Sequence, residues 1–376
     1  MHILVDRTDE MRLRKELEAR TDVEALRIKR YLAMADLSRT AGSPLADIVA
    51  RTRDVPAVQG FDDIEIPEIV PASISFDLFD FAPEHPARST SDTYYVDPKH
   101  ILRTHDTVFW YYYLSHPGVQ KRIAQKESLG ALCYGKVYRK DEIDRRHMNI
   151  FHQMGGWFLQ PNEKGLLTLD DLKEALSEII KTVFGAHTEF RFNVDTFPYT
   201  DPSLEVEVLV NDQWVEVLGG GMPKASVLRN MGLEGYNGWA FGFGLERLAI
   251  LSMSLPDIRL LWSTDVRVQK QLVLGQEYKE VSKYPPIIRD ISFIVSVDFV
   301  PNDYFDLVRE VAGDLVEEVA LIDRYENTEK FGEGNVSYAY RITYRSILRT
   351  LESEEIDTLH KKLEQTTTES YNALVR

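Results

Sequence analysis

The chain has 376 residues, 44 Lys and Arg against 60 Asp and Glu, and one cysteine, Cys133. The length suits two or three domains, and a lone cysteine excludes an internal disulfide and a thiolate zinc site. The formal net charge of −16 repels polyanions, so binding a nucleic acid would need a local basic surface. No apolar run approaches the ~20 residues of a membrane span, and early acidic residues disfavour a transit peptide. We therefore predict a cytoplasmic protein without membrane contact.

The first part of the chain is predicted to be helical. Leucine and isoleucine recur at helical spacing over residues 8–37, and a second short helix follows to about Asp54. We therefore predict an N-terminal helical segment over residues 1–58.

From Gly60 onward the pattern changes to short strands. Residues 60–71 alternate with period two around prolines, which predicts an edge strand or an interrupted one. One helix is predicted over residues 169–183, begun by a capping pattern at Thr168. Because strands dominate, we expect a largely antiparallel sheet, and neither a Rossmann nor a P-loop motif is present. Further strands are predicted at residues 131–139, 151–159, 190–195, 204–209 and 214–218.

The C-terminal part has its own pattern. A polar segment at residues 271–282 predicts a linker between domains at 59–270 and 283–376. The order β-α-β-β-α-β is typical of a ferredoxin-like fold, so the predicted class is α+β. Its elements are predicted at residues 288–297, 303–312, 317–325, 336–344, 354–367 and 373–376.

Two segments carry residues suited to a nucleotide. Arg139 ends one predicted strand and Phe151 begins the next; a guanidinium suits phosphate oxygens and an aromatic face suits adenine. Over residues 238–251, a strand, a glycine turn and a helix place Arg247 in the first helical turn, where anions are favoured. A charged hairpin or a glycine turn explains either segment alone. Together, on an antiparallel sheet, they favour a nucleotide site.

The motifs resemble, in order, those of the phenylalanyl-tRNA synthetases, which are class II aminoacyl-tRNA synthetases. The likeness covers roughly residues 59–376. It implies a class II antiparallel sheet flanked by helices, then a ferredoxin-like anticodon-binding domain, as in the single-chain, mitochondrial type. The segments that carry it are EHPARSTSDTYYVD (84–97), LRTHDT (102–107), YRKDEIDRRHMNIFHQ (138–153), FPYTDPS (197–203), WVEVLGGG (214–221), GFGLERLAIL (242–251), PDIRLLWS (256–263), KYPPIIRDISF (283–293) and SYAYRITYRS (337–346).

The resemblance implies ATP-dependent activation of phenylalanine and its transfer to tRNA-Phe. Arg139 and Arg247 would be catalytic, because they neutralise charge on the α-phosphate and the distal phosphates during an in-line displacement. Phe151 would stack on adenine, with Arg247 on the other face of the base, and Glu216 would help hold Mg²⁺. The implied ATP-binding set is Arg139, His147, Phe151, Glu216, Gly244 and Arg247.

An amino acid pocket follows from the same resemblance. Phe197 and Tyr199 would pack on the substrate ring edge to face, over a floor that includes Gly219 and Gly220, where missing side chains leave room. The implied amino-acid-binding set is His105, Asp106, Thr107, Gln153, Phe197, Tyr199, Gly219 and Gly220.

The chain departs from the family pattern within this pocket. Gly155 stands where the family has an acid that receives the substrate ammonium, and Asp106 stands where threonine is usual. We hypothesise that Asp106 replaces the missing carboxylate. Gly220 in place of a small side chain would deepen the ring pocket, and Tyr199 in place of phenylalanine would add a hydroxyl. The two changes could be neutral or could alter tolerance for para-substituted rings, an effect worth ~1–3 kcal/mol.

The ferredoxin-like domain carries the predicted tRNA contacts Arg341, Arg345 and Arg349. The interleaved tyrosines at 338, 340 and 344 could stack on unpaired bases, and ion pairing with the acids of residues 352–357 explains each arginine equally well. No obligatory β subunit is expected, and the protein could be a monomer or a homodimer.

Two alternatives stay open on the sequence. One is a class II paralogue with another amino acid or acceptor specificity, which Gly155 motivates. The other is a non-catalytic RNA-binding paralogue, which the retained arginines disfavour.

Overall fold

The computed structural model describes residues 1–142, 144–281 and 284–376. They form two compact units, each of several segments. The end of the predicted linker at Ser282 and the predicted domain start at Lys283 lie outside the described residues. The first unit comprises Met1–Arg139, Ile150–Leu255 and Lys270–Tyr278; the second comprises Lys140–Asn149, Pro256–Gln269 and Lys279–Arg376.

Both units contain helices and strands. The strands are β1 (His2–Leu4), β2 (Asp62–Glu65), β3 (Ile69–Pro71), β4 (Tyr95–Asp97), β5 (His100–Leu102), β6 (Leu129–Tyr138), β7 (Ile150–Pro161), β8 (Phe190–Phe197), β9 (Thr200–Val210), β10 (Gln213–Pro223), β11 (Tyr236–Gly244), β12 (Ile287–Ser296), β13 (Val316–Tyr325), β14 (Asn335–Tyr344) and β15 (Leu374–Val375). The α-helices are α1 (Thr8–Glu18), α2 (Val23–Ala33), α3 (Pro44–Arg53), α4 (Ala72–Phe76), α5 (Phe109–Ser115), α6 (Pro117–Ala124), α7 (Leu169–Phe184), α8 (Ala225–Asn230), α9 (Leu245–Met253), α10 (Val266–Gln269), α11 (Pro301–Ala312), α12 (Thr328–Phe331) and α13 (Ser353–Tyr371).

The first unit is built on an eight-stranded sheet in the order β1-β2-β6-β7-β11-β10-β9-β8. Only the pairs β1–β2 and β2–β6 within it are parallel, and the others are antiparallel. Helix α7 packs on β10 and β11, and α9 packs on β7. The predicted antiparallel sheet flanked by helices is therefore confirmed, and its five predicted strands are β6 to β10.

The segment at residues 60–71 is interrupted, as one of the two alternatives predicted. Strand β2 lies inside the large sheet, whereas β3 joins a separate three-stranded sheet in the order β3-β5-β4. Pro67 lies between them and has no N–H to donate to a strand partner. The edge-strand alternative is wrong for β2, since β1 and β6 pair with its two sides.

The N-terminal prediction of one helix over residues 8–37 is wrong in its continuity. The chain forms α1 and α2 with a break between them, because Asp22 caps α2 by accepting a hydrogen bond from the Ala25 N–H at 3.0 Å. The cap predicted at Thr168 is confirmed: its hydroxyl accepts from Asp171 N–H while the Asp171 carboxylate accepts from Thr168 N–H.

The second unit contains a four-stranded antiparallel sheet in the order β13-β14-β12-β15. Its core is formed by the inner faces of these strands and by apolar residues of α11 and α13. The predicted β-α-β-β-α-β order is confirmed, with the short helix α12 added between β13 and β14.

Candidate active site

Arg139 and Phe151 lie together at one end of the large sheet. Arg139 directly follows β6, and Phe151 on β7 is opposite Val137 of β6. The Arg139 guanidinium carbon is 5.1 Å from the Phe151 ring centroid, and its Nε donates to the Thr104 carbonyl at 2.9 Å. The Phe151 ring and the Thr104 carbonyl therefore fix the position of this guanidinium.

Arg247 and Glu216 form a pair at the same end of the sheet. Arg247 is the third residue of α9, and its Nη1 lies 3.1 Å from Glu216 Oε2 and donates to the Glu216 carbonyl at 3.2 Å. Strands β6 and β11 both run antiparallel to β7, so both end beside the first residues of β7. Arg139 and Arg247 follow these two strand ends in the sequence. The register thus places the two cations just after the ends of the strands that flank the strand of Phe151.

Two other predicted nucleotide residues differ in their surroundings. Gly244 is the N-cap residue of α9, and a Cβ added there would meet nothing within 4 Å. His147 belongs to the second unit, where its Nδ1 lies 2.8 Å from Asp144 Oδ2. A role for His147 in ATP binding stays a prediction.

Three glycines lie side by side across the centre of the sheet. Gly155 of β7 is opposite Gly242 of β11, and Gly242 is in turn opposite Gly219 of β10. Directly opposed residues in an antiparallel pair share one face of the sheet. This glycine row is therefore a strip of bare backbone across three strands.

Different side chains border the two ends of the glycine row. A Cβ at position 155 would lie 2.3 Å from Asp106 Oδ2, and one at position 219 would lie 2.8 Å from Phe197 Cζ. The row therefore has a carboxylate at one end and an aromatic ring at the other. Gly242 was missed as a floor residue, because cross-strand opposition is not visible in a linear sequence.

The aromatic end is a cluster of rings. Tyr199 stacks on Phe197 with ring centroids 6.2 Å apart, and makes edge contacts with Phe79 at 5.8 Å and Trp110 at 6.3 Å. Burial raises the pKa of the Tyr199 phenol, while a hydrogen bond with Thr107 opposes this rise. Phe79 was not predicted, since its contacts come from a distant part of the chain.

His105 is held in one tautomer beside this cluster. Its Nε2 lies 3.1 Å from the Ser75 carbonyl, which can only accept, so Nε2 carries the proton. Burial, assisted by the charge of Arg139, lowers the pKa of His105 to about 4. The ring is thus neutral at physiological pH, and its Nδ1 is a buried acceptor without a hydrogen-bond partner in the described parts of the chain.

Gln153 fixes the turn that carries Asp106. Its Oε1 accepts a hydrogen bond from the Asp106 N–H at 3.1 Å, at the start of the 3-10 turn Asp106–Val108. Gln153 and Gly155 alternate along β7 and so share a face. The predicted polar residues therefore meet at the acidic end of the glycine row.

Gly220 does not deepen the ring pocket as we expected. A Cβ added there would lie 2.6 Å from the Ala240 carbonyl oxygen and 3.2 Å from Leu172 Cδ2 on α7. The pleat directs position 220 towards the helices, away from Phe197, because successive strand residues face opposite sides. The prediction that this missing side chain enlarges the ring pocket is wrong.

The predicted tRNA contacts are ion-paired within the second unit. Arg341 Nη2 lies 2.8 Å from Asp290 Oδ2, Arg345 Nε 2.6 Å from Glu317 Oε2, and Arg349 Nη1 2.7 Å from Glu355 Oε2.

The three tyrosines that alternate with these arginines are core residues. The side chains at 338, 340 and 344 are buried against apolar residues of the domain. The prediction that they stack on bases is wrong, because all three lie on the face of β14 that packs into the core of the domain. They are Tyr338, Tyr340 and Tyr344.

Comparison with known families defines the class of protein. Residues 28–272 match the family described as tRNA synthetases class II core domain (F), and residues 282–376 match the ferredoxin-fold anticodon binding domain. The antiparallel sheet with arginines at one end and the following ferredoxin-like domain are thus those of a class II tRNA synthetase.

Similar proteins specify the family further. The chain is 39% identical over 334 residues to the chloroplastic/mitochondrial phenylalanine–tRNA ligase of Arabidopsis thaliana, covering 86% of this chain and 71% of that protein. It is 35% identical to the mitochondrial enzyme of Mus musculus, with coverages of 80% and 72%. It is 31% identical to the mitochondrial enzyme of Saccharomyces cerevisiae, with coverages of 77% and 78%. The chain belongs to the phenylalanine–tRNA ligases.

These relatives confirm one prediction and overturn another. The family is one of enzymes, so the aminoacyl-tRNA synthetase interpretation is confirmed against a non-catalytic paralogue. The prediction of a cytoplasmic location is wrong, because these relatives are mitochondrial or chloroplastic. Acidic residues near the N-terminus were a poor guide to location. Within the described ranges, no helix has the length and apolar character to cross a membrane.

Proposed function

We propose that this chain activates phenylalanine with ATP at the large sheet and transfers it to the terminal adenosine of tRNA-Phe. The observation that carries the proposal is the glycine row, with Asp106 at one end and Phe197 at the other, on the sheet whose strands β6 and β11 lead to Arg139 and Arg247. An aromatic amino acid has the matching chemistry, with an ammonium at one end and a ring at the other.

The aromatic end would bind the substrate ring. Phe197 and Tyr199 already stack on each other, and Trp110 and Phe79 support Tyr199 from its edges. Rings prefer offset or edge-on contacts with centroids roughly 4.5–7 Å apart, each worth ~0.5–1.5 kcal/mol beyond the area they bury. Gly219 lets the Phe197 ring lie close to the strand backbone, since a Cβ there would lie 2.8 Å from Phe197 Cζ.

Arg139 and Arg247 would stabilise charge on ATP. In activation, a carboxylate oxygen of the amino acid attacks the α-phosphorus, and pyrophosphate leaves in line. A guanidinium held by Thr104 on one side and by Phe151 on the other is preorganised for the α-phosphate. Arg139 covers one face of Phe151, so adenine would stack on the other face.

Glu216 and Arg247 would act on the distal phosphates, with Gly244 and His147 as further predicted ATP contacts. The Glu216 carboxylate is half exposed and lies 3.1 Å from Arg247 Nη1. Among the residues described, no three acids, histidines or cysteines are grouped as a metal cage. The half-exposed Glu216 carboxylate fits Mg²⁺, which takes one or two protein carboxylates together with phosphate oxygens. When bound, Mg²⁺ supplies positive charge to the phosphates.

The ferredoxin-like domain would bind the anticodon region of tRNA-Phe through Arg341, Arg345 and Arg349. An RNA phosphate would have to compete with the acidic partners of these arginines. We also propose that the chain works without an obligatory β subunit, as a monomer or a homodimer.

The test is ATP–pyrophosphate exchange with each of the twenty amino acids, with and without tRNA. We expect exchange with phenylalanine above all others. Stronger exchange with another amino acid would replace phenylalanine in the proposal, and no exchange with any of them would contradict it. Charging of tRNA-Phe at its terminal adenosine then tests the transfer step.

A further inference from the structure

Asp106 is a buried carboxylate with one unsatisfied oxygen. The residue is 4% exposed, and Oδ2 has no hydrogen-bond partner among the residues described. Its backbone is fixed by Gln153 Oε1 at 3.1 Å. A buried carboxylate oxygen without a partner is costly, so its presence at a candidate site points to a ligand with a donor.

Asp106 occupies the volume that a side chain on β7 would need. An ideal Cβ at position 155 would lie 2.3 Å from Asp106 Oδ2 and 3.0 Å from its Cγ, and one at Gly242 would lie 3.8 Å from Oδ1. The carboxylate therefore lies over the opposed pair Gly155–Gly242. Only glycine at position 155 leaves room for the Asp106 carboxylate. Positions 155 and 106 therefore cannot both carry bulky side chains in this arrangement.

We propose that Asp106 Oδ2 accepts a hydrogen bond from the α-ammonium of the amino acid, in place of a carboxylate on β7. This inference rests on the proposed function and adds the residue that recognises the ammonium. Gln153 is then a positioning residue, since it holds the turn of Asp106.

The geometry of the glycine row supports this assignment. Neighbouring strands are about 4.7–4.9 Å apart, so Gly155 and Gly219 are about 10 Å apart. One amino acid with a benzyl side chain can extend its ammonium towards Asp106 and its ring towards Phe197 over this length. Burial is the main reason that the pKa of Asp106 rises to about 7, with Arg103 and Arg139 opposing the rise. A bound ammonium would favour the ionised form.

The first test is Asp106→Asn, which keeps the shape and removes the charge. A charge-assisted hydrogen bond is lost, so we expect the phenylalanine KM in pyrophosphate exchange to rise about 10–100-fold while the ATP KM stays within about twofold. The matched control is Asp212→Asn, at an exposed hairpin turn with φ of 60°, which asparagine adopts readily. It should leave both KM values unchanged.

A binding readout separates recognition from a merely structural role. Phenylalaninol keeps the ammonium and lacks the carboxylate, whereas 3-phenylpropionate keeps the carboxylate and lacks the ammonium. In calorimetric titrations we expect Asp106→Asn to weaken the binding of phenylalaninol about 10–100-fold. The affinity for 3-phenylpropionate should stay unchanged or increase. Equal weakening of both probes would overturn the inference.

Gly155→Ala tests the same contact from the other side. The added methyl group would displace the Asp106 carboxylate, so the phenylalanine KM should rise, and its effect should not add to that of Asp106→Asn. If Asp106→Asn fails to fold, Gly155→Ala with the two probes decides the question. An active wild-type enzyme whose phenylalanine KM is unmoved by the folded variants would overturn the role of Asp106, whereas an inactive wild-type enzyme would contradict the proposed function itself.

Discussion

The two units of this protein differ in the burial and ion pairing of the charged residues predicted to bind substrates. In the first unit, Asp106 is buried and one of its oxygens is unsatisfied within the described structure. In the second unit, Arg341 and Arg349 are exposed and each is already paired with an acid. An unsatisfied buried charge costs stability and so needs a functional reason, whereas exposed ion pairs are worth little and arise readily. The buried carboxylate therefore indicates a binding role, whereas the surface ion pairs by themselves do not.

The largest effect is expected at the phosphate end of the first unit. Arg139→Gln should lower the rate of phenylalanine-dependent pyrophosphate exchange about 10²–10³-fold, since it removes a preorganised donor for the transition state. Arg229→Gln is the control, because this exposed arginine forms a surface ion pair with the exposed Glu234. A rate within threefold of wild type would show that Arg139 does not touch the reacting phosphate.

An effect of about tenfold is expected from pH. The ammonium binds the ionised Asp106 carboxyl, whose pKa is about 7 in the ligand-free protein. The phenylalanine KM should therefore be lowest near pH 8, where the carboxyl is ionised, and should rise as pH falls from 8 to 6, by up to about tenfold. Asp106→Asn should remove this dependence, and a profile that is the same in both proteins would contradict the assignment.

The groups around Asp106 do not titrate in this window. The pKa of His105 is lowered to about 4 and that of Cys133 is raised to about 12, in both cases mainly by burial. Burial also raises the pKa of Tyr199, and arginines 103 and 139 stay charged throughout. A change between pH 6 and 8 thus reports on Asp106 among its described neighbours.

The smallest effects are expected in the second unit, where two opposite substitutions sharpen the comparison. Arg341→Ala should weaken tRNA-Phe binding and reduce the slope of log K against log salt by about 1, as for one phosphate contact. Asp290→Asn removes the partner of Arg341, so it should strengthen binding. Neither should change exchange in the absence of tRNA. If both variants bind tRNA-Phe like wild type, Arg341 is only part of a surface ion pair.

The sequence motifs predicted the fold well, but they predicted poorly which face of a sheet each residue occupies. Helix and strand types follow from local periodicity, and the strands on both sides of Arg139 and Phe151 lie where the sequence indicates. The glycine row depends on which residues of β7, β11 and β10 are opposed, which is set by register between distant segments.

Two errors have the same origin. Gly220 and the tyrosines of β14 were given to binding surfaces from spacing alone, but the pleat and the covering helices decide which face they occupy. The break at Asp22 was visible in the sequence as a capping residue, and the longer helical periodicity obscured it.

A crystal structure with phenylalanyl-adenylate bound would test the central claim most directly. We predict that the substrate nitrogen lies about 2.7–3.0 Å from Asp106 Oδ2, that its ring lies beside Gly219 and Phe197, and that Arg139 contacts the α-phosphate. A substrate nitrogen held elsewhere, with Asp106 facing no donor, would contradict the account.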